Sequence, residues 1–291
     1  MKSFLSAQYR YLFQTFRARR SVRHKLFIGV EAVQLLLNYG ALQRALKGHN
    51  PPPPNTGGKQ CVVILLSHNR PQNLSLLVRG ALKNSFVSKV VVSNSNRHVR
   101  LADWIKINDP RLILVDETKP TRPGHRFVLA AQEAGDYFLS IDDDIFLTPK
   151  QWADFFQCLL ANEADPHGLT GNLYQPGTAS SNGSPFQHVS GVNVEVDVLI
   201  GAYAYTRRHL VRLFELARRL NLGDMTNMAN GEDVLLSFAG ERRPQIHNVG
   251  QVFCCASTSL EGVALWRTLN DFWNERVNLF ERTRAARKGM D

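Results

Sequence analysis

Three consecutive carboxylates, Asp142-Asp143-Asp144, close the apolar run Tyr137-Phe138-Leu139-Ser140-Ile141. Adjacent carboxylates repel one another and resist ionising together unless a cation meets them. A divalent ion with oxygen ligands is the expected partner. In an extended segment alternate residues project the same way, so Asp142 and Asp144 share a side, one to reach a metal and the other a sugar hydroxyl or the metal's water. A hard ion held by few protein carboxylates keeps positions open for phosphate oxygens, the arrangement used on nucleotide diphosphates. The competing arrangement is a solvated turn whose last Asp caps a helix starting near Pro149.

A second acidic pair stands in Asn230-Gly231-Glu232-Asp233-Val234, two acids opening a helix. There the positive end of the helix dipole stabilises them and fixes their direction, as it also does in ordinary capping. The basic residues Arg70, Arg122, His125 and Arg126 suit a diphosphate clamp or stacking on a base, and equally surface ion pairs.

The elements that must position these groups are short apolar runs alternating with helix-period stretches. Cys61–Leu66, Lys89–Val92, Leu112–Val115 and Tyr137–Ile141 read as strands, with helices after Pro71, around Trp104 and from Phe127 to Ala134. Strands that are apolar throughout and alternate with helices describe a parallel sheet covered on both faces, a Rossmann-like half. Ligands in such sheets sit at the carboxyl ends of the strands. Those ends carry Ser67-His68-Asn69-Arg70, Ser93-Asn94-Ser95-Asn96, Asp116-Glu117 and the aspartate triplet. Neither a G-x-G-x-x-G after the first strand nor a Walker A lysine loop is present, which argues against a dinucleotide dehydrogenase and a P-loop NTPase. In the second half, residues 176–191 read as a long loop, Val192, Val194 and Val196 as alternate positions of a half-buried strand, Arg207–Leu220 as a helix, and Glu261 to about Ala286 as one long helix.

The charge is unevenly placed. The chain carries +10, but residues 1–50 hold nine Lys/Arg against one acid, Glu31, so the remaining body is nearly neutral. Pro51-Pro52-Pro53-Pro54-Asn55-Thr56-Gly57-Gly58 separates the two. The reading is a basic helical arm over 1–50, a linker over 51–59 and a catalytic domain over 60–291, its nucleotide half about 60–145 and its acceptor half about 146–291. In the arm, Leu5, Tyr9, Leu12, Phe13 and Phe16 form one helical stripe and Leu26, Val30, Val33 and Leu37 another, around the cluster Arg17, Arg19, Arg20, Arg23 and Lys25. Such helices suit an anionic membrane surface, or a hairpin packed on the body. No apolar run is long enough to span a bilayer. Cys61, Cys158, Cys254 and Cys255 lack metal-ligand spacing and read as buried thiols in a reducing compartment. The expected location is cytoplasmic, on the inner face of a membrane.

Phe138-Leu139-Ser140-Ile141-Asp142-Asp143-Asp144 resembles the DxD segment of GT-A glycosyltransferases. Together with Leu199-Ile200-Gly201-Ala202-Tyr203, the Glu232-Asp233 helix and Trp266-Arg267…Asn278-Leu279-Phe280, the order and spacing resemble the exostosin-like glycosyltransferase family 64 over roughly Cys61 to Glu281. The resemblance implies an α/β GT-A fold, a Rossmann-like nucleotide half merged with a mixed-sheet acceptor half, and retaining transfer from a UDP-sugar with Mn²⁺, Mg²⁺ being the alternative. It places Asn69, Arg70 and Asn94 near uridine and Arg126 near the diphosphate. Asp142, Asp143 and Asp144 fall around ribose, donor sugar and metal, with Asp144 and Asp142 as the metal's ligands. Asp233, beside Glu232, falls beneath the anomeric carbon, and Arg267 near the leaving diphosphate.

The function expected is therefore a hexosyl- or N-acetylhexosaminyltransferase acting on a glycan or glycolipid acceptor. Spacing alone leaves retention and inversion both open, since Asp233 can stabilise an oxocarbenium-like sugar or act as a general base. The alternatives are a sugar-nucleotide nucleotidyltransferase, which needs a Gly-rich basic loop where Ser67-His68-Asn69-Arg70-Pro71 stands, and a non-enzymatic protein using the arm on membrane or nucleic acid. No nucleic-acid partner is expected, because the body lacks a basic stripe with interleaved aromatics.

Overall fold

The apolar runs become four parallel strands, β1 (Cys61–Ser67), β2 (Val87–Asn94), β3 (Leu112–Asp116) and β4 (Tyr137–Ile141), side by side in the order β3-β2-β1-β4. The computed structural model describes residues 2–18, 22–177, 184–255 and 265–288. Beyond β4 the sheet turns mixed. β9 (Val198–Thr206) lies antiparallel to β4, and β6 (His167–Tyr174) antiparallel to β9. β7 (Phe186–Ser190), β8 (Val194–Glu195) and β10 (Gln245–Ile246) complete the far edge. A separate ribbon pairs β5 (Ile145–Phe146) with β11 (Phe253–Cys254) just after the aspartate triplet.

Alternate residues of β1 feed opposite layers, as a pleated strand requires. Cys61, Val63 and Leu65 join the core formed with α3 (Pro71–Leu82) and α6 (Pro149–Ala161), while Val62 and Ile64 join the core of α5 (His125–Gln132), α7 (Arg207–Arg219) and α8 (Glu232–Ser237). The short α4 (Leu101–Trp104) sits between β2 and β3. The parallel order puts the carboxyl ends of β1 to β4 on one rim, as expected from the sequence.

Three expectations about the second half are corrected. Residues 176–191 are not all loop, because Phe186–Ser190 pairs with β6 from Thr170↔Ser190 to Tyr174↔Phe186; residues 178–183 lie outside the described residues. The strand is at an edge with Gln187 and His188 exposed, so its composition reads as loop. Around Val192–Val196 only Val194–Glu195 pairs, with both residues exposed, while Val196 alone is fully buried. The long C-terminal helix is broken into α9 (Leu265–Thr268) and α10 (Phe272–Arg287), with Asp271 at a left-handed φ of 62° between them; Glu261 lies outside the described residues.

The N-terminal helices α1 (Lys2–Ala18) and α2 (Val22–Lys47) pack on the body. Phe4, Leu12, Leu35, Tyr39, Leu42 and Leu46 belong to the α3–α6 core, and the Phe4 ring stacks on Tyr39 at 5.2 Å and meets the edge of Phe146 at 5.4 Å. The stripes read from the sequence are not the buried ones. Of the first, Leu12 is buried while Tyr9 and Phe13 are exposed; Val30, Val33 and Leu37 of the second are exposed. The side chains of Phe16, Leu26 and the cluster Arg17 to Lys25 lie outside the described residues. Among the described residues no helix is long and apolar enough to cross a membrane. All four cysteines are free thiols, but only Cys61 and Cys255 are buried; Cys158 is half-buried and Cys254 exposed.

Under the mixed half of the sheet, imidazoles are held neutral by geometry. His209 Nε2 donates to the Ala164 carbonyl at 3.0 Å, so its Nδ1 accepts from the Thr206 amide at 3.2 Å. His167 Nε2 donates to the Asn162 carbonyl, leaving its Nδ1 to accept from His247 Nε2 at 2.7 Å. Burial pushes His209 and His247 down to about 4. The unfolded chain binds these protons near its ordinary pKa of about 6.5 and the folded one only near 4, so stability is lost as pH falls between them. The expected loss for fully buried His209 is up to about 3 kcal/mol, measured as the difference in urea unfolding free energy between pH 7.5 and pH 4. Equal stability at the two pH values would contradict it.

Candidate active site

The rim's acidic turn is shaped by the neighbouring antiparallel strand. The Asp142 amide donates to the Gly201 carbonyl at 2.7 Å, and Gly201 takes φ 71° while its own amide donates to the Tyr203 hydroxyl at 2.8 Å. A side chain at position 201 would place its Cβ 2.8 Å from Ile145 Cδ1 and 3.6 Å from Asp142 Oδ2. Glycine thus serves both the left-handed backbone and the close approach to the first aspartate.

Arginines meet each carboxylate of the turn. Arg70, directly after β1, contacts Asp143 at 2.7 Å and Asp144 at 3.1 Å. Arg126, buried on α5 over the Tyr203 ring, contacts Asp142 at 2.6 Å and faces Glu232 at 4.0 Å. At the mouth of α8, Asp233 receives a two-pronged contact from Arg276 of α10, at 2.7 and 2.9 Å, with both side chains buried. Gly231, at φ 87°, lets α10 come this close: a Cβ there would lie 2.3 Å from Leu279 Cδ2.

Five carboxylates, Asp142, Asp143, Asp144, Glu232 and Asp233, therefore face three guanidinium groups. The shortfall equals the charge of one divalent cation. Burial, against the pull of Arg70 and with the push of Asp142 and Asp143, raises Asp144 to about 7; burial and the neighbouring Asp233 raise Glu232 to about 8. Asp143 is raised as well, chiefly by burial. Protein cations alone do not neutralise this cluster. Among the described residues no group of three or more Asp, Glu, His or Cys side chains is arranged to hold a metal ion by itself.

Beneath the turn, a polar chain reaches the N-terminal hairpin. Asn73 Nδ2 donates to the Asp143 carbonyl at 2.8 Å, and Gln8 Nε2 donates to Asn73 Oδ1 at 3.1 Å. The Cys255 amide donates to the Asp144 carbonyl at 2.7 Å, and its thiol to Gln8 Oε1 at 2.8 Å. Gln8 thus braces the backbone of Asp143 and Asp144. Gln8→Leu is expected to cost about 1–3 kcal/mol by leaving buried partners unmet. Urea unfolding checks this, and an unchanged unfolding free energy would remove the bracing role.

Of the residues singled out in the sequence, Arg70, Arg126, Asp142, Asp143, Asp144, Glu232 and Asp233 form one connected cluster. Asn69 stands exposed at the same rim. Asn94 ends β2 on the same rim, opposite Ser67. It is buried, and its amide donates to the Asn96 and Val99 carbonyls and to Asp116 while its oxygen accepts from the Asn96 amide, so it holds the loop after β2. His125 Nε2 lies 2.9 Å from Glu117, which also accepts from Ser93 at 2.7 Å. Arg122 joins the rim through its amide, bonded to the Thr226 carbonyl at 2.9 Å.

Among the described side chains of the C-terminal segment, Arg276 is the arginine that reaches the acidic pair; Arg267, expected near the leaving diphosphate, is not placed by this contact. The latter lies in α9 with its side chain outside the described residues. A signal for Arg276 was present: Arg276, Leu279, Phe280 and Thr283 are the buried stripe of α10, with Arg276 as its one cation. Gln8 and Asn73 left no such signal, since their partners are distant in sequence.

No protein-family model and no curated protein matches the sequence. Solved structures do. GalNAc-T7, solved with UDP, GalNAc and Mn²⁺, is similar at a TM-score of 0.54 and 11% identity, covering 78% of this chain and 48% of that one. This chain thus spans about half the length of that structure. The mannosyltransferase PcManGT from Pyrobaculum calidifontis, in complex with GDP-Man and Mn²⁺, gives 0.40 and 17% over 74% of this chain and 65% of that one. CMP:2-keto-3-deoxy-manno-octonic acid synthetase with CTP gives 0.37 and 13% over 56% and 83%. The last two are too distant to carry an argument. With a TM-score above one half to GalNAc-T7 and a parallel nucleotide-type half merged into a mixed sheet, the chain has the fold of the GT-A glycosyltransferases.

Proposed function

We propose that the protein transfers a hexosyl or N-acetylhexosaminyl group from a nucleotide diphosphate sugar to a glycan or glycolipid acceptor. The observation that carries this is the five-to-three imbalance of carboxylates over arginines at the carboxyl rim of a GT-A sheet. Asp144 and Asp142 would hold Mn²⁺ or Mg²⁺, which supplies charge neutralisation to the departing diphosphate. Asn69 and the rim after β1 would border the base. Arg126 and Arg70, already directed at the turn, would orient ribose and phosphate oxygens while keeping the aspartates in place.

Asp233 fits a group beneath the anomeric carbon because Arg276 fixes both of its oxygens and the helix end fixes its direction. Held so, it stabilises positive charge developing on the sugar without reorganising. Glu232, buried at the same helix mouth and 4.0 Å from Arg126, is the candidate to hold a sugar hydroxyl. The resemblance to family 64 favours UDP and retention. In that course the acceptor hydroxyl attacks from the leaving-group face and its proton passes to a diphosphate oxygen.

The test is a panel of UDP- and GDP-sugars incubated with the protein and Mn²⁺, scored for hydrolysis and for transfer, with anomeric configuration read by NMR. Metal-dependent turnover of one UDP-sugar is expected. Release of pyrophosphate from a sugar phosphate and a nucleoside triphosphate would instead mark a nucleotidyltransferase, and absence of metal-dependent nucleotide binding would end the transferase reading.

A further inference from the structure

A helix that is apolar on all sides is normally covered on all sides. α2 is covered on one. Leu35, Tyr39, Leu42 and Leu46 face the core, while Val30, Val33 and Leu37, at i, i+3 and i+7 on the opposite side, are 66%, 59% and 61% exposed. Leu36 flanks them at 48%, and Tyr9 of α1 is also exposed. The stripe has full helical periodicity and is not needed for packing on the body.

Its surroundings say what covers it. Residues 1–50 carry nine Lys/Arg and the single acid Glu31, and among the described side chains Arg10, Arg44 and Lys47 are exposed on the same two helices. A second copy laid on this face would bring the same positive charge against itself. An apolar stripe bordered by bases matches the boundary of a bilayer, where acyl chains lie just below anionic headgroups.

We propose that the outer face of α2, centred on Val30, Val33 and Leu37, is a docking surface for an anionic lipid bilayer. The hairpin does not leave the body to bind: its inner face stays in the core, and Gln8 on that face braces the acidic turn. The surface stands on its own residues and holds whether or not the transferase reading does.

The experiment is co-sedimentation of the full chain with phosphatidylcholine vesicles, with and without about 30% phosphatidylglycerol. The protein is expected to pellet with the anionic vesicles only, and less as salt rises from about 0.1 to about 0.5 M. Val33→Glu/Leu37→Glu and the uncharged pair Val33→Ser/Leu37→Ser are each expected to weaken vesicle affinity at least about tenfold. Both alter exposed positions, so melting temperature and Mn²⁺–UDP affinity should stay at the wild-type value. No pelleting of the wild type, or wild-type pelleting of the serine pair, overturns the proposal. So does a dimer in sedimentation velocity that the serine pair dissociates in the absence of vesicles, since a second copy would then be the occupant.

Discussion

Asp144→Ala is expected to lower the Mn²⁺-dependent affinity for UDP by at least about a hundredfold and to abolish sugar-nucleotide hydrolysis. The side chain stands at the point where carboxylates outnumber guanidinium groups. Burial pushes its carboxyl up to about 7 against the pull of Arg70, so its charge is incompletely compensated by the protein. Removing it leaves Arg70 on Asp143 at 2.7 Å, so the turn keeps one ion pair. The second half of the expectation is therefore about stability. A carboxyl whose folded pKa is raised opposes folding increasingly as pH climbs from its unfolded value through the folded one. At pH 8 the metal-free Asp144→Asn variant should melt no lower than the wild type, while losing the metal-dependent gain in melting temperature with UDP. Retained nucleotide affinity in either variant would remove the metal role from this residue.

Breaking the Asp233–Arg276 pair should produce the largest loss of stability. Both groups are buried, and two short contacts join them. Arg276→Ala strands a carboxylate without its partner, at an expected cost of about 3–5 kcal/mol. Asp233→Ala strands the guanidinium at a similar cost. The pair Asp233→Leu/Arg276→Met, apolar and of similar volume, should recover most of that stability and none of the turnover. Recovery without activity separates the pair's structural role from its chemical one. Arg267→Ala tests the other arginine expected near the diphosphate: a larger loss of hydrolysis there than in Arg276→Ala would assign the diphosphate contact to Arg267.

How much of this was legible beforehand follows from the range of the interactions involved. The aspartate triplet, the Glu232-Asp233 helix mouth and the parallel strands were readable because adjacency and short periodicities are local properties of a chain. At Asn94 the local reading runs out, since an Asn at a strand end serves a turn as readily as a ligand, and here four hydrogen bonds tie it to the loop. The stripe Leu26, Val30, Val33 and Leu37 was also correctly periodic. Periodicity does not say which side a neighbour will cover, and the core took Leu35, Tyr39, Leu42 and Leu46 instead. The break between α9 and α10 turns on one left-handed residue, Asp271, which leaves little trace in composition.

By itself, then, the order of residues determined a parallel sheet with an acidic rim and a basic N-terminal segment. Only the tertiary structure decided which arginine answers Asp233, that Gln8 braces the acidic turn across 65 residues to Asn73, and that an apolar face of α2 is left uncovered. The reason is physical. Charge and pattern are written along the chain, whereas ion pairing, burial and exposure depend on which distant segments fold into contact.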